Sequence, residues 1–287
     1  MKKTIKNRLF FTLGLLGSGF LGYMFTSWLI KSLGSPEAFA NKPSIFIIVL
    51  SFITAILAGL FLHEFGHYLM GRLFGLKLYY FAFGPFSFYR KSGNEPLRFQ
   101  WNRNLAAYGG MVAMLPKPEQ KGLFKSYAWF VAGGPLMSLL SLFIFYFLYH
   151  RHGNGPLELF LLMMSLLGFA TFLATTIPAR SNGMLTDRKK LQRLLKGGME
   201  AENELILFEE LAKAAVNEDY RLLDDSRLQI LNRDPEAGIQ VVALLLRAFK
   251  ARAEGDLDKF ENMKLEISAF SEQINVKPYL ETLNKPV

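Results

Sequence analysis

The 287-residue chain contains no cysteine. That excludes a disulfide framework and a thiolate metal site, so any transition metal must be held by histidine and carboxylate. Histidine is also scarce, limited to His63, His67, His150 and His152. Acidic residues are scarce over most of the length. Residues 1–197 carry 22 Lys and Arg against 6 Asp and Glu, whereas residues 198–287 carry 11 against 18. A basic portion nearly free of acids, followed by an acidic one, implies two environments. It predicts a membrane domain over 1–197 and a helical cytoplasmic domain over 198–287. A net charge of +9 would suit nucleic acid. Here the basic residues flank apolar runs, as they do in membrane anchors, so no nucleic-acid partner is expected.

Half of the residues are hydrophobic, and they cluster. A helix needs about 20 apolar residues to cross the hydrocarbon core. Four segments qualify: Leu9–Ile30, Ser44–Met70, Tyr127–Tyr149 and Leu157–Ile177. The intervening stretches alternate between rich and poor in Lys and Arg. The N-terminus has four, 31–43 two, 72–126 nine, 150–156 one and 180–196 six. By the positive-inside rule both termini are expected in the cytoplasm. The first run, preceded by MKKTIKNR and followed by Ala38-Phe39-Ala40, has the outline of a secretory signal. Its apolar stretch is longer than a signal core, which favours a retained anchor.

Inside the second run stands His63-Glu64-Phe65-Gly66-His67, an H-E-x-x-H motif. Residues four apart on a helix lie about 40° from each other around the axis, so both imidazoles project from one face and can chelate one zinc ion. Glu64 is close enough to act on a water that zinc has acidified toward a pKa of about 7, taking its proton for attack on a peptide carbonyl. Three ionisable residues in an apolar span are costly unless paired or metal-bound. Arg72 should mark the cytoplasmic boundary, which puts His63 about 13 Å deeper along the helix. The plainer reading is a hydrogen-bonded polar knot between helices.

His150 and His152 fall on the opposite turn, so the third ligand is expected to be a carboxylate. Outside the acidic tail the candidates are Glu37, Glu95, Glu119, Glu158 and Asp187. Glu37 and Glu158 belong to the far side. Asp187 follows the fourth run on the same side as His67, after a stretch holding Pro178, Asn182 and Gly183 that cannot be a plain helix. Irregular backbone at membrane depth is tolerated where it lines a protein-enclosed cavity. Asp187 is therefore the expected ligand, reached by irregular backbone from Thr175 to Thr186. Its simpler role would be an acid at the N-terminus of the helix that follows.

These elements together resemble the site-2 protease family of intramembrane zinc metalloproteases. That family has H-E-x-x-H on one transmembrane helix, a distal Asp in an Asn-x-x-Pro-x-x-x-Leu-Asp-Gly setting, and a small-residue Ala-Gly-Pro element between them. Ala132-Gly133-Gly134-Pro135 matches the last of these, and the resemblance spans roughly residues 44–196. The chain departs from the pattern at Thr186, at Arg188 where the family has Gly, and at Ala179 where it has Asn. Asn182 lies nearby and could do that polar work at the oxyanion or substrate. The loop 72–126 is too short for the family's PDZ insertion. The resemblance implies a Zn2+ cofactor, a multi-pass bacterial plasma-membrane protein and membrane-embedded substrates such as anti-sigma factors, remnant signal peptides or peptide pheromones. An inactive membrane scaffold, or a membrane zincin of another family with Glu as third ligand, remain the alternatives.

Gly133 and Gly134 also serve plain helix packing. Between the second and third runs, residues 84–101 alternate apolar and polar around Ser92-Gly93-Asn94, which predicts a β-hairpin. The resemblance places such a sheet at the membrane edge, where an open strand could take an extended substrate; a basic loop on lipid headgroups is the simpler alternative. The acidic tail predicts one helix from Asp234-Pro235 to about Ala253 and a second from Gly255-Asp256 to near Phe270. With a degenerate pair at 201–234, this is tetratricopeptide-like and suits a protein regulator, or simply a helical cap. The expected fold is thus membrane all-α: four transmembrane helices, a small membrane-edge sheet and a C-terminal helical domain.

Overall fold

The computed structural model describes residues 44–287, apart from 92–94, 104–106, 118–120, 152–155, 178–179, 182–183, 218 and 285–287. The expected anchor Leu9–Ile30 lies outside the described residues.

Three helices are long and apolar enough to cross a membrane: α1 (Ile45–Leu73), α2 (Leu123–Arg151) and α3 (Pro156–Thr176). Ser44 starts α1, its hydroxyl accepting from the Ile47 N–H at 3.4 Å, one of the donors a helix start leaves unpaired. Large apolar side chains line the outside of these helices, among them Phe46, Phe143 and Phe147. Lipid removes the hydrophobic drive between such helices, so close backbone approach must supply packing. It does so where Gly66 of α1 meets Gly133 of α2. A Cβ on Gly133 would lie 2.3 Å from the Gly66 carbonyl oxygen, and a Cβ on Gly66 equally close to that of Gly133. Between α2 and α3, Gly168 lies against the Leu142 backbone and Ser165 Oγ donates to the Leu142 carbonyl at 3.2 Å.

A four-stranded antiparallel sheet fills the connection from α1 to α2. Its strands are β1 (Lys77–Phe83), β2 (Phe86–Tyr89), β3 (Arg98–Trp101) and β4 (Met111–Leu115), in the order β3-β2-β1-β4. The expected hairpin is β2–β3, with Tyr89 opposite Arg98 and Phe86 opposite Trp101. β1 and β4 were not apparent from alternation. β1 (KLYYFAF) is central, and its residues are half-buried or buried without alternation, which replaces a two-residue period with a continuous apolar run over 78–83. Phe81 and Phe83 of β1 pack edge-on against Phe61 of α1. The sheet is thereby moored two residues from His63. All four residues of the outer strand β3 are exposed.

After α3 the chain makes a two-stranded ribbon, β5 (Arg180–Ser181) and β6 (Met184–Leu185), then α4 (Asp187–Lys196). Irregular backbone was expected from Thr175, but α3 continues through Thr176. The remainder is helical: α5 (Gly198–Asn217), α6 (Asp225–Ile230), α7 (Ala237–Glu254), α8 (Leu257–Ala269) and α9 (Lys277–Leu283). The helix pair anticipated from the tail is α7–α8, turned by Gly255 in the left-handed region (φ 80) and capped by Asp256. Val241, Leu244, Ala248, Phe260, Met263 and Ile267 form its core. Apolar packing also crosses residue 197. Leu194 of α4 is buried with Tyr127 and Val131 of α2, against Leu205 and Phe208 of α5.

Candidate metal centre

His63 and His67 sit one turn apart on the face of α1 that meets α2, and both are buried. Their Nε2 atoms are 3.3 Å apart. Asp187, first residue of α4, brings Oδ2 to 3.3 Å from His63 Nε2 and 3.4 Å from His67 Nε2. Tetrahedral zinc with bonds of about 2.0–2.1 Å requires ligand atoms about 3.3–3.4 Å from one another. The three sides of the triangle meet that requirement, and the donor set, two imidazoles and one carboxylate, is one that zinc takes. The residues present therefore fit a zinc ion, with a fourth position left over.

The imidazoles are held from behind. His67 Nδ1 donates to the Phe130 carbonyl at 2.7 Å, which leaves the Nε2 lone pair facing Asp187. His63 Nδ1 pairs with Ser138 Oγ at 2.9 Å. Both partners belong to α2. Gly134 of the same helix makes room for one ring, since a Cβ there would lie 2.2 Å from His67 Nε2. Gly133 and Gly134 thus have separate tasks, helix approach and ring clearance. Pro135 lies within α2 beside them.

Glu64 is buried and faces the start of β4. There Gly110 adopts φ 103, and a Cβ at that position would stand 2.3 Å from Glu64 Oε1. Burial opposes the charge on Asp187, but the contacts with His63 and His67 and the Lys190 ammonium hold its carboxyl well below the usual carboxylate range.

The structure gathers four of the expected site residues, His63, Glu64, His67 and Asp187. Asp187 also occupies the helix N-terminal position that was its simpler role. Glu95 pairs with Arg98 beside the hairpin, and Glu158 lies in the first turn of α3. Arg188 is exposed. Asn182, Glu37 and Glu119 lie outside the described residues. Sequence reasoning missed Ser138, the Phe130 carbonyl, Gly66 and Gly110. Only Gly66 carried a local signal, as the small residue inside the motif on the side that faces Gly133.

Apolar helices around a His-His-Asp triangle, its two imidazoles buried, with an adjacent Glu define a membrane metallopeptidase. The chain belongs to peptidase family M50, the site-2 protease family, whose family model matches residues 51–287. No match was found among curated proteins or among solved structures.

Proposed function

We propose that this chain is an intramembrane zinc endopeptidase that cuts peptide bonds of transmembrane or membrane-associated peptides. His63, His67 and Asp187 hold the zinc and Glu64 is the general base. The observation that carries this reading is the triangle of 3.3, 3.3 and 3.4 Å formed by two imidazole nitrogens and a carboxylate oxygen. Three such acceptors repel one another unless a cation or proton lies among them. The zinc, when bound, supplies Lewis acidity to the attacking water and the scissile carbonyl.

The chain's own residues do the rest. Phe130 and Ser138 orient the two rings. Glu64, in the space left by Gly110, takes the proton of the attacking water and returns it to the leaving amine. The exposed strand β3 suits an extended substrate added along its edge, with Phe99 and Trp101 as apolar contacts. Such an edge gives a partly unwound transmembrane segment backbone partners that lipid cannot. Asn182 is assigned to substrate or oxyanion contact by its place between Pro178 and Asp187. Four spans with both termini cytoplasmic, and a tetratricopeptide-like unit over 198–287 that binds a protein regulator, complete the reading.

The test uses purified full-length protein. Glu64→Gln should retain one zinc per chain and lose cleavage of membrane peptides, while His63→Ala and His67→Ala should each lose the metal. Equal zinc content in the wild type and both His variants, or full activity in Glu64→Gln, overturns the assignment.

A further inference from the structure

The ligand Asp187 stands on a weak support. α4 has ten residues, DRKKLQRLLK, and a helix so short is marginal on its own. It contributes Leu191 and Leu194 to an apolar cluster with residues of α2 and α5. A further support for its first residue matters, because a site left about 1 Å too loose loses its working geometry.

The C-terminal helices supply that support. Arg193, six residues after Asp187, lies about 9 Å along the axis and about 120° around it, on the side facing the C-terminal helices. It is 2% exposed. Its guanidinium forks onto Asp234, with Nη2 2.5 Å from Oδ2 and Nη1 3.2 Å from Oδ1. Its Nε lies 2.8 Å from Glu204 Oε1, a charge contact without hydrogen-bond alignment. Asp234 is itself fully enclosed. It accepts further bonds from Asn203 Nδ2 at 2.7 Å and from the Glu236 N–H at 2.8 Å. A second link runs from Lys189 to Glu236 at 2.8 Å. On the other side of Asp187, Leu185 is buried in the apolar cluster of Leu223, Leu228, Leu231 and Ile239. The carboxylate ligand is thus gripped from before and behind by residues of 198–287.

We propose that Arg193 is a positioning residue for Asp187, and that the ion cluster of Arg193, Glu204 and Asp234 makes the C-terminal helices a clamp that sets metal affinity. The proposal rests on the reading of His63, His67 and Asp187 as metal ligands. The bidentate fork is what confers direction. A lysine would keep the charge but not the planar, two-point grip. Any partner that shifted the 234–236 turn would act on Asp187 through α4 without itself binding the membrane helices.

The experiment titrates Co2+ into the full-length, metal-free protein in nanodiscs, reading affinity by competition and coordination by the visible absorption of the bound ion. Arg193→Met should weaken Co2+ binding about 10- to 100-fold, the range for groups that orient metal ligands, and should alter the absorption envelope as the carboxylate leaves. Arg193→Lys should recover part of both. Asp234→Asn, isosteric and still able to hydrogen-bond, tests the same link if Arg193→Met does not fold. It should shift affinity in the same direction by a smaller factor. Wild-type affinity and spectrum in Arg193→Met and Asp234→Asn, even with lowered thermal stability, would show Arg193 to be structural only and overturn the clamp. A wild type that binds no Co2+, or binds it equally after His63→Ala, overturns the site reading and the clamp with it.

Discussion

The two halves of the candidate site are built on opposite principles. His63, Glu64 and His67 stand on a long apolar helix set against α2 by what is missing, the side chains of Gly66, Gly133 and Gly134. Asp187 stands on a short charged helix held by what is present, a buried guanidinium with its carboxylates and an apolar cluster from the C-terminal helices. In lipid, helices gain little from burying apolar surface against each other, so backbones must touch. In water, burial drives packing, and charges can be enclosed if each finds a partner. The one candidate site therefore depends on two kinds of stability.

The sharpest way to break that contrast is at the glycine contact. Gly133→Leu forces a side chain into the Gly66 backbone and should cost about 3 kcal/mol or more, the upper end for overpacking, because backbone cannot give way as a side chain can. Loss of zinc and of a folded peak on size exclusion in detergent is the expected result. Retained zinc and a normal elution volume would show that α1 and α2 tolerate separation.

Ile267→Ala, in the enclosed core of α7–α8, should cost about 2–5 kcal/mol, the range for truncating a buried aliphatic side chain to alanine. Thermal unfolding followed by circular dichroism checks it, and zinc content should stay near wild type below the midpoint. A drop in stability under about 1 kcal/mol would mean that this core is less closed than described.

Ser138→Ala removes the partner of His63 Nδ1 without disturbing helix packing. Zinc affinity should fall about 10-fold, equivalent to about 1.4 kcal/mol, with little change in thermal midpoint. Unchanged affinity would show that the ring is oriented by its surroundings alone. At the small end, Lys277→Ala breaks an exposed pair with Glu281 and should alter stability by no more than about 0.5 kcal/mol. A larger loss would reveal a role for α9 beyond its single buried Leu283.

Much of this arrangement was legible because it is written in local periods. Run length predicted α1, α2 and α3 within a few residues, and alternation around Ser92-Gly93-Asn94 predicted β2 and β3. The turn at Gly255-Asp256 separated α7 from α8. Periods fail where burial is symmetric, which is why β1 escaped notice, and where partners are remote. Nothing near Gly110 indicates that its missing Cβ accommodates Glu64, and nothing near Ser138 indicates that its hydroxyl meets His63.

The sequence by itself determined that His63 and His67 share a helix face, because four residues of helix carry that geometry wherever the helix lies. The absence of cysteine and the shortage of histidine limited the candidates for a third ligand to carboxylates. Only the tertiary structure decided that this carboxylate is brought to 3.3 Å from His63, and that Arg193 and Asp234 hold its helix there. Local geometry follows from the bond angles and hydrogen bonds of a few neighbouring residues. The distance between segments far apart in the chain is set by how their surfaces fit, and that fit exists only once the helices have packed.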